Sequence, residues 1–186
     1  MPADTDLCGG HVFRMVSVHD VFRKLWREKR RFQSAGSTNE GRADQVDAIL
    51  NFAITAWHMT DWVWKRHENK MRDEFQVNNQ KEFSVAMAQC CPELAVCDVL
   101  ANAAKHGGIA WDTKDRPNVE TVLVASSATD LGLALVAHQS AVEWSLKVNI
   151  DGNSHDPYDF LNGVFMFWHK FIQKYCVHTT KLSPDI

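Results

Sequence analysis

A chain of 186 residues with 45% hydrophobic content can bury a proper core, and it suits one domain over residues 1–186 better than two. Its formal charge of −3 hides an asymmetry, because residues 14–31 carry seven basic side chains against two acidic ones and the remainder is net acidic. Five cysteines without a repeated CxxC spacing exclude a disulfide framework and a zinc knuckle, and no apolar stretch approaches the roughly 20 residues of a membrane span.

Residues 1–12, with Pro2, Gly9 and Gly10 and no period, read as a frayed start without the charged and apolar pattern of a secretory leader. Ser17 with Asp20 three residues later resembles a capping box. It opens a helix whose apolar positions are Val18, Val21, Phe22, Leu25, the Lys29 stem and Phe32. The basic run occupies its other face, which is either a solvated surface or a phosphate-binding stripe with Arg23, Arg27, Arg30 and Arg31 as candidates. Residues 34–41 read as a loop.

From Arg42 to about Phe75 there is no proline and no interior glycine, so the longest helix is expected there. Val46, Ile49, Leu50, Ala53, Ala56, Trp57 and Trp64 share one broad side, flanked by Phe52 and Val63. Asp47, Asn51, His58 and Lys65 lie opposite, and Asp61 sits at the boundary, from which it could reach inward. Trp62 falls on the polar side, where an indole wants cover from another element or a second subunit. Residues 78–91 read as a loop leading into a short helix or extended segment.

The next stretch has both ends marked. Pro92 and Glu93 suit a first helical turn, and the glycines at 107 and 108 after Lys105 suit a C-cap. At about 100° per residue, Ala95, Val96, Val99, Ala103 and His106 fall on one side together with Asn102. A buried amide and imidazole must find hydrogen-bond partners, which predicts that another element supplies them.

Beyond residue 118 the period changes to that of strands. Residues 121–125 are β-rich, 131–136 are apolar, and 142–150 alternate strictly, so these three runs are expected to form an antiparallel meander. Residues 151–156 close the sheet. Asp156 then caps a helix with Pro157 at its first position, which buries Leu161, Val164, Phe165, Trp168, Phe171, Ile172 and Tyr175. The expected fold is α+β, predominantly α: a bundle of about four helices with a three-stranded antiparallel β-meander.

No glycine-rich phosphate loop, GxSxG elbow or HExxH occurs. The histidines at 58, 106, 138, 155 and 169 have no spacing that sets two on one helical turn, so neither a metal nor a cofactor is expected. What remains for catalysis is Asn102 and His106 facing inward, Lys105 beside them, and Asp61 as a carboxylate that could orient the imidazole of a general base. The same contacts serve equally well to satisfy a buried histidine with no chemistry.

The segments Asn51–Trp64 (NFAITAWHMTDWVW) and Cys91–His106 (CPELAVCDVLANAAKH) together resemble small bacterial all-helical proteins related to the HEPN superfamily. The resemblance implies a long helix packed on a second helix with a polar inward motif, in defence or stress contexts; the odd, unspaced cysteines read as reduced thiols of a cytoplasmic protein. In the ribonucleases of that group a histidine ends the second helix, which maps to His106, and an arginine precedes it. Val99, Leu100 and Ala101 stand there in this chain. The reading preferred on these residues is a non-catalytic HEPN-like interaction module working as a homo-oligomer or with a protein partner. The alternative is a metal-independent endoribonuclease with His106 as general base and RNA held by the basic helix.

Overall fold

Five helices and a small sheet make up residues 15–35, 39–106, 119–126, 143–150 and 152–176, the parts of the chain that this computed structural model describes. Helix α1 (Val18–Ser34) begins at the expected capping box: the Ser17 hydroxyl accepts from the Asp20 amide at 3.2 Å, and the Asp20 carboxylate accepts from the Ser17 amide at 3.0 Å. Burial pushes the Asp20 carboxyl up, but the hydrogen bonds from Ser17 and Val16 and the charge of Arg23 outweigh it and hold the group below its ordinary value. Val18, Val21, Leu25 and Phe32 are buried as the spacing requires. Phe22 is half-buried and stacks on Phe165, with ring centroids 4.8 Å apart.

Helix α2 (Asn39–Phe75) is the longest element and starts inside the segment expected to be a loop. Helical geometry breaks at His67 (φ −136°, ψ 28°), so one uninterrupted helix is not what forms. Past the break, Met71 is fully buried and Phe75 packs among Phe83, Phe171 and Tyr175. The buried side of α2 is broader than one amphipathic stripe. Phe52 and Val63, expected on the flank, are fully enclosed, as are Met59 and Thr60, because α1, α3 and α4 all pack on this helix.

Asn79 caps α3 (Gln80–Cys90), its side chain accepting from the Glu82 amide at 3.0 Å. Helix α4 (Glu93–His106) follows with the expected boundaries. Its inward side differs from expectation: Leu94 and the run Val96–Leu100 are buried, whereas Ala95, Asn102 and Ala103 are half-buried. The reason is that α2, α3 and the last helix all pack on α4, which widens its buried side beyond one amphipathic stripe.

Strands β1 (Val119–Ser126) and β2 (Glu143–Ile150) pair antiparallel over their whole length, from Val119 against Ile150 to Ser126 against Glu143. A third strand, β3 (Asn153–His155), pairs with the other edge of β2, giving the order β1-β2-β3. The sheet is antiparallel and three-stranded among the described residues, but its membership corrects the expected meander. An unbroken ladder between β1 and β2 leaves no place for residues 131–136 between them. Those residues lie outside the described ones. Gly152, at φ +81°, leads into β3, so the segment expected only to close the sheet contributes a strand to it.

Asp156 caps α5 (Pro157–Phe171), accepting from the Tyr158 amide at 2.8 Å, with Pro157 at the first position as expected. Residues Ile172–Cys176 then continue as a π-helical turn. Leu161, Val164 and Trp168 are fully buried and Phe171 nearly so, while Phe165 and Tyr175 are half-buried. The core lies where α1, α2, α4 and α5 meet, with Leu25, Phe52, Leu94 and Trp168 all completely enclosed.

Candidate functional site

On the side of α2 turned from the core, His58, Asp61, Trp62 and Lys65 recur at intervals of three, four and seven, which sets them on one helical face. With Arg66 and with Gln80 from the first turn of α3 they line a groove of about 570 Å³. Trp62 is half-buried there, packed against the core and lining the groove. Asp61 is occupied: its carboxylate accepts from the Gln80 amide group and, at 3.5 Å, from the Thr60 hydroxyl. His58, Lys65 and Arg66 are exposed and make no ion pair among the described residues. The groove therefore offers an indole surface, a lysine, an arginine and an imidazole, with its carboxylate drawn toward α3.

Asn102 takes its partners from its own helix one turn back. Its amide nitrogen donates to the Asp98 carbonyl at 3.0 Å and to the Asp98 carboxylate at 2.6 Å. The expectation that a different element satisfies Asn102 is corrected by that bond, which an i,i+4 spacing of Asp and Asn makes available. Lys105 and His106 form the last residues of α4, and their side chains lie outside the described ones. Asp61 and Asn102 are thus each satisfied locally, on α2–α3 and on α4 respectively.

The four arginine candidates separate. Arg31 folds back onto Glu28, which is buried on the same helix and accepts from it at 2.8 and 3.0 Å. Lys24 lies 3.4 Å from Glu28 and hydrogen-bonds to Thr55, so part of the basic run is structural. Lys29 donates to Asn162 at 2.7 Å and lies over the Phe165 ring, with burial lowering its pKa. Arg23, Arg27 and Arg30 remain on the outer face, Arg23 with a long contact of 3.9 Å to Asp20. Between them stands Trp26, 46% exposed, with the Arg30 guanidinium 4.9 Å from its ring. Residues 23, 26, 27 and 30 form one stripe.

Sequence reasoning missed Trp26 and Glu28. The 3-4-7 spacing of Trp26 with three arginines was available as a signal; the burial of Glu28 was not, since a lone acid in a basic run reads as solvated. Among the described residues no cluster of histidine, cysteine or carboxylate groups could hold a metal ion. Cys90, Cys91, Cys97 and Cys176 are all free thiols. No helix among the described residues is long and apolar enough to cross a membrane. Comparison with known proteins finds no matching family model, no similar curated protein and no similar solved structure.

Proposed function

We propose that this protein is a non-catalytic, HEPN-like helical interaction module that seats an acidic segment of a protein partner in the α2 groove. The observation that carries the reading is Trp62: a half-buried indole at the groove, framed by Lys65, Arg66 and His58. A rigid aromatic with cations beside it has the composition of an interface anchor. Lys65 and Arg66 give the selectivity for acidic sequence, because neither is neutralised by a neighbouring carboxylate among the described residues.

The test titrates the full chain with a fluorescein-labelled Glu/Asp-rich peptide containing one leucine. Binding should weaken about tenfold or more in Trp62→Glu and in Lys65→Glu/Arg66→Glu, the loss expected on removing an anchor. Equal binding by the parent chain and both variants would overturn the proposal. Sedimentation of the same variants distinguishes a second copy as partner, since only then does Trp62→Glu abolish self-association.

A second reading rests on a different observation, the exposed Trp26 among Arg23, Arg27 and Arg30. Cations tracking a backbone with an aromatic on which bases stack suit single-stranded RNA. Affinity would then fall with salt at a log-log slope of roughly −0.7 per phosphate contacted, and Trp26→Ala with the three arginines changed to Glu would abolish binding. Arg31→Glu should matter less, being committed to Glu28. RNA cleavage lost in His106→Ala with binding retained would make the chain an endoribonuclease and displace the first reading.

A further inference from the structure

Helices α1 and α5 share a seam beside the arginine stripe. Phe22 stacks on Phe165 and lies 5.9 Å from the His169 ring, whereas Lys29, further along α1, reaches back to Asn162 and Tyr158, so the two helices run antiparallel. The buried residues Val21, Leu25 and Phe32 of α1 and Leu161, Val164 and Trp168 of α5 all lie on one side of this seam, and solvent meets the other. Trp26 and Met166 stand about 50–70° round from the seam on that outer side. With Tyr158 they are three of the five large apolar side chains left exposed among the described residues, so apolar exposure is concentrated here.

Two of the three are rings, and each has a cation over it. The Arg30 guanidinium lies 4.9 Å from the Trp26 ring, and the Lys29 ammonium lies 5.6 Å from that of Tyr158, which is 47% exposed. What else holds the two cations differs. Lys29 is half-buried, donates to Asn162 and also lies over Phe165, so it fixes where the Tyr158 ring sits rather than offering a free charge. Arg27 and Arg30 make no hydrogen bond or ion pair among the described residues and stay free to meet an anion. The carboxylates on this outer side are Asp159 and Asp20, and Asp20 is taken up by the Ser17 cap.

We propose that Tyr158 is a second base-stacking platform, so that a single RNA strand crosses the seam from Trp26 on α1 to Tyr158 on α5. Its phosphates lie on Arg23, Arg27 and Arg30, and Lys29 is a positioning residue for the tyrosine ring. This rests on the reading of Trp26 and its arginines as a single-stranded RNA site, and gives that site a second helix and the strand a direction. Stacking tolerates any base, because every base has a π-face. An acidic peptide would answer the charge but leave both rings without a planar partner. A bilayer surface calls for an apolar face separate from the charged one, whereas here Trp26 stands among Arg23, Arg27 and Arg30.

The experiment follows the anisotropy of a fluorescein-labelled oligouridylate of about 12 nucleotides, within the range of single-strand site sizes, on the full chain across a salt series. Tyr158→Ala should weaken binding about tenfold, the margin of one stacked base, with the log-log salt slope unchanged. Tyr158→Phe should bind like the parent, because a stacked base needs the ring and not the hydroxyl. Lys29→Met should also weaken binding at an unchanged slope, whereas Arg27→Gln should reduce the magnitude of the slope by roughly 0.7. Binding that Trp26→Ala lowers and Tyr158→Ala does not would overturn the second platform and leave the α1 stripe standing. A slope reduced by Lys29→Met as much as by Arg27→Gln would overturn the positioning role. No binding by the parent chain at low salt would remove the stripe itself. Parent binding to phosphatidylserine vesicles and not to the oligonucleotide would overturn the inference in favour of an anionic membrane.

Discussion

Single side chains carry much of what holds this molecule together, and Trp168 is the largest of those completely enclosed. Its ring meets Phe167 and Phe171 at 5.2 and 5.4 Å, both edge to face. Trp168→Ala should therefore cost about 3–5 kcal/mol in equilibrium denaturation. Its indole N–H has no acceptor among the described residues, so the aromatic volume matters more than the polar handle. Trp168→Phe should lose less than half as much, because it removes an unsatisfied donor that costs on the order of 1–3 kcal/mol while giving up part of the packing. A loss for Phe close to that for Ala would mean that the N–H is bonded after all. The burial of Trp168 was legible from its place in a 3-4-7 apolar stripe. The burial of Glu28 was not, because it depends on Lys24 and Arg31 reaching back over it.

At the scale of elements, boundaries marked by local chemistry were the legible ones. Ser17 with Asp20, Asp156 with Pro157, and Pro92 with Glu93 open helices where side-chain capping or a fixed proline φ dictates it. The strand β3 that follows Gly152 is not legible in the same way, because its three polar residues carry no alternating apolar pattern. Which face of α4 is buried could not be read from its own spacing, since neighbours on several sides decide it. Glycine substitutions test the element geometry directly. Gly152→Ala should destabilise by about 1 kcal/mol through backbone strain alone, because a β-carbon there would meet nothing within 4 Å at φ +81°. Gly163→Ala, in the middle of α5, should stabilise by roughly 0.5–1 kcal/mol. Its β-carbon would lie 3.7 Å from Glu93, an ordinary contact. Thermal unfolding of both variants checks the opposite signs.

For the molecule as a whole, the thiols report how tightly the helices close. Burial, helped by the Cys91 hydrogen bond to Glu93 at 3.3 Å and by the charge of that carboxylate, pushes the Cys91 thiol up to about 12. Burial pushes Cys176 up to about 11, and Cys97, fully enclosed, also well above its ordinary value. Thiolates are the reactive form, so these three should resist iodoacetamide at pH 8 while exposed Cys90 is alkylated. Across a urea series, fragmentation mass spectrometry should find Cys91, Cys97 and Cys176 becoming reactive together, at the midpoint of global unfolding. Early reaction of Cys176 alone would mean that the end of α5 opens independently. The helix-dominated class was legible because apolar period and capping agree along most of the chain. The α2 groove was half legible: Trp62 was out of place on a polar face, but only the approach of Gln80 from α3 turns that face into a concave surface.

The direct pairing of β1 with β2 has a consequence for the order in which the chain assembles. β2 and β3 are joined by two residues, whereas 16 residues, 127–142, separate β1 from β2. In the unfolded chain, bringing together the ends of the longer connection costs about 2 kcal/mol more chain entropy by the logarithmic dependence on length. The short hairpin can close within microseconds of collapse. On chain entropy alone, β1 is therefore expected to join β2 after β3 has, completing the sheet from its C-terminal side back toward the helices that precede it.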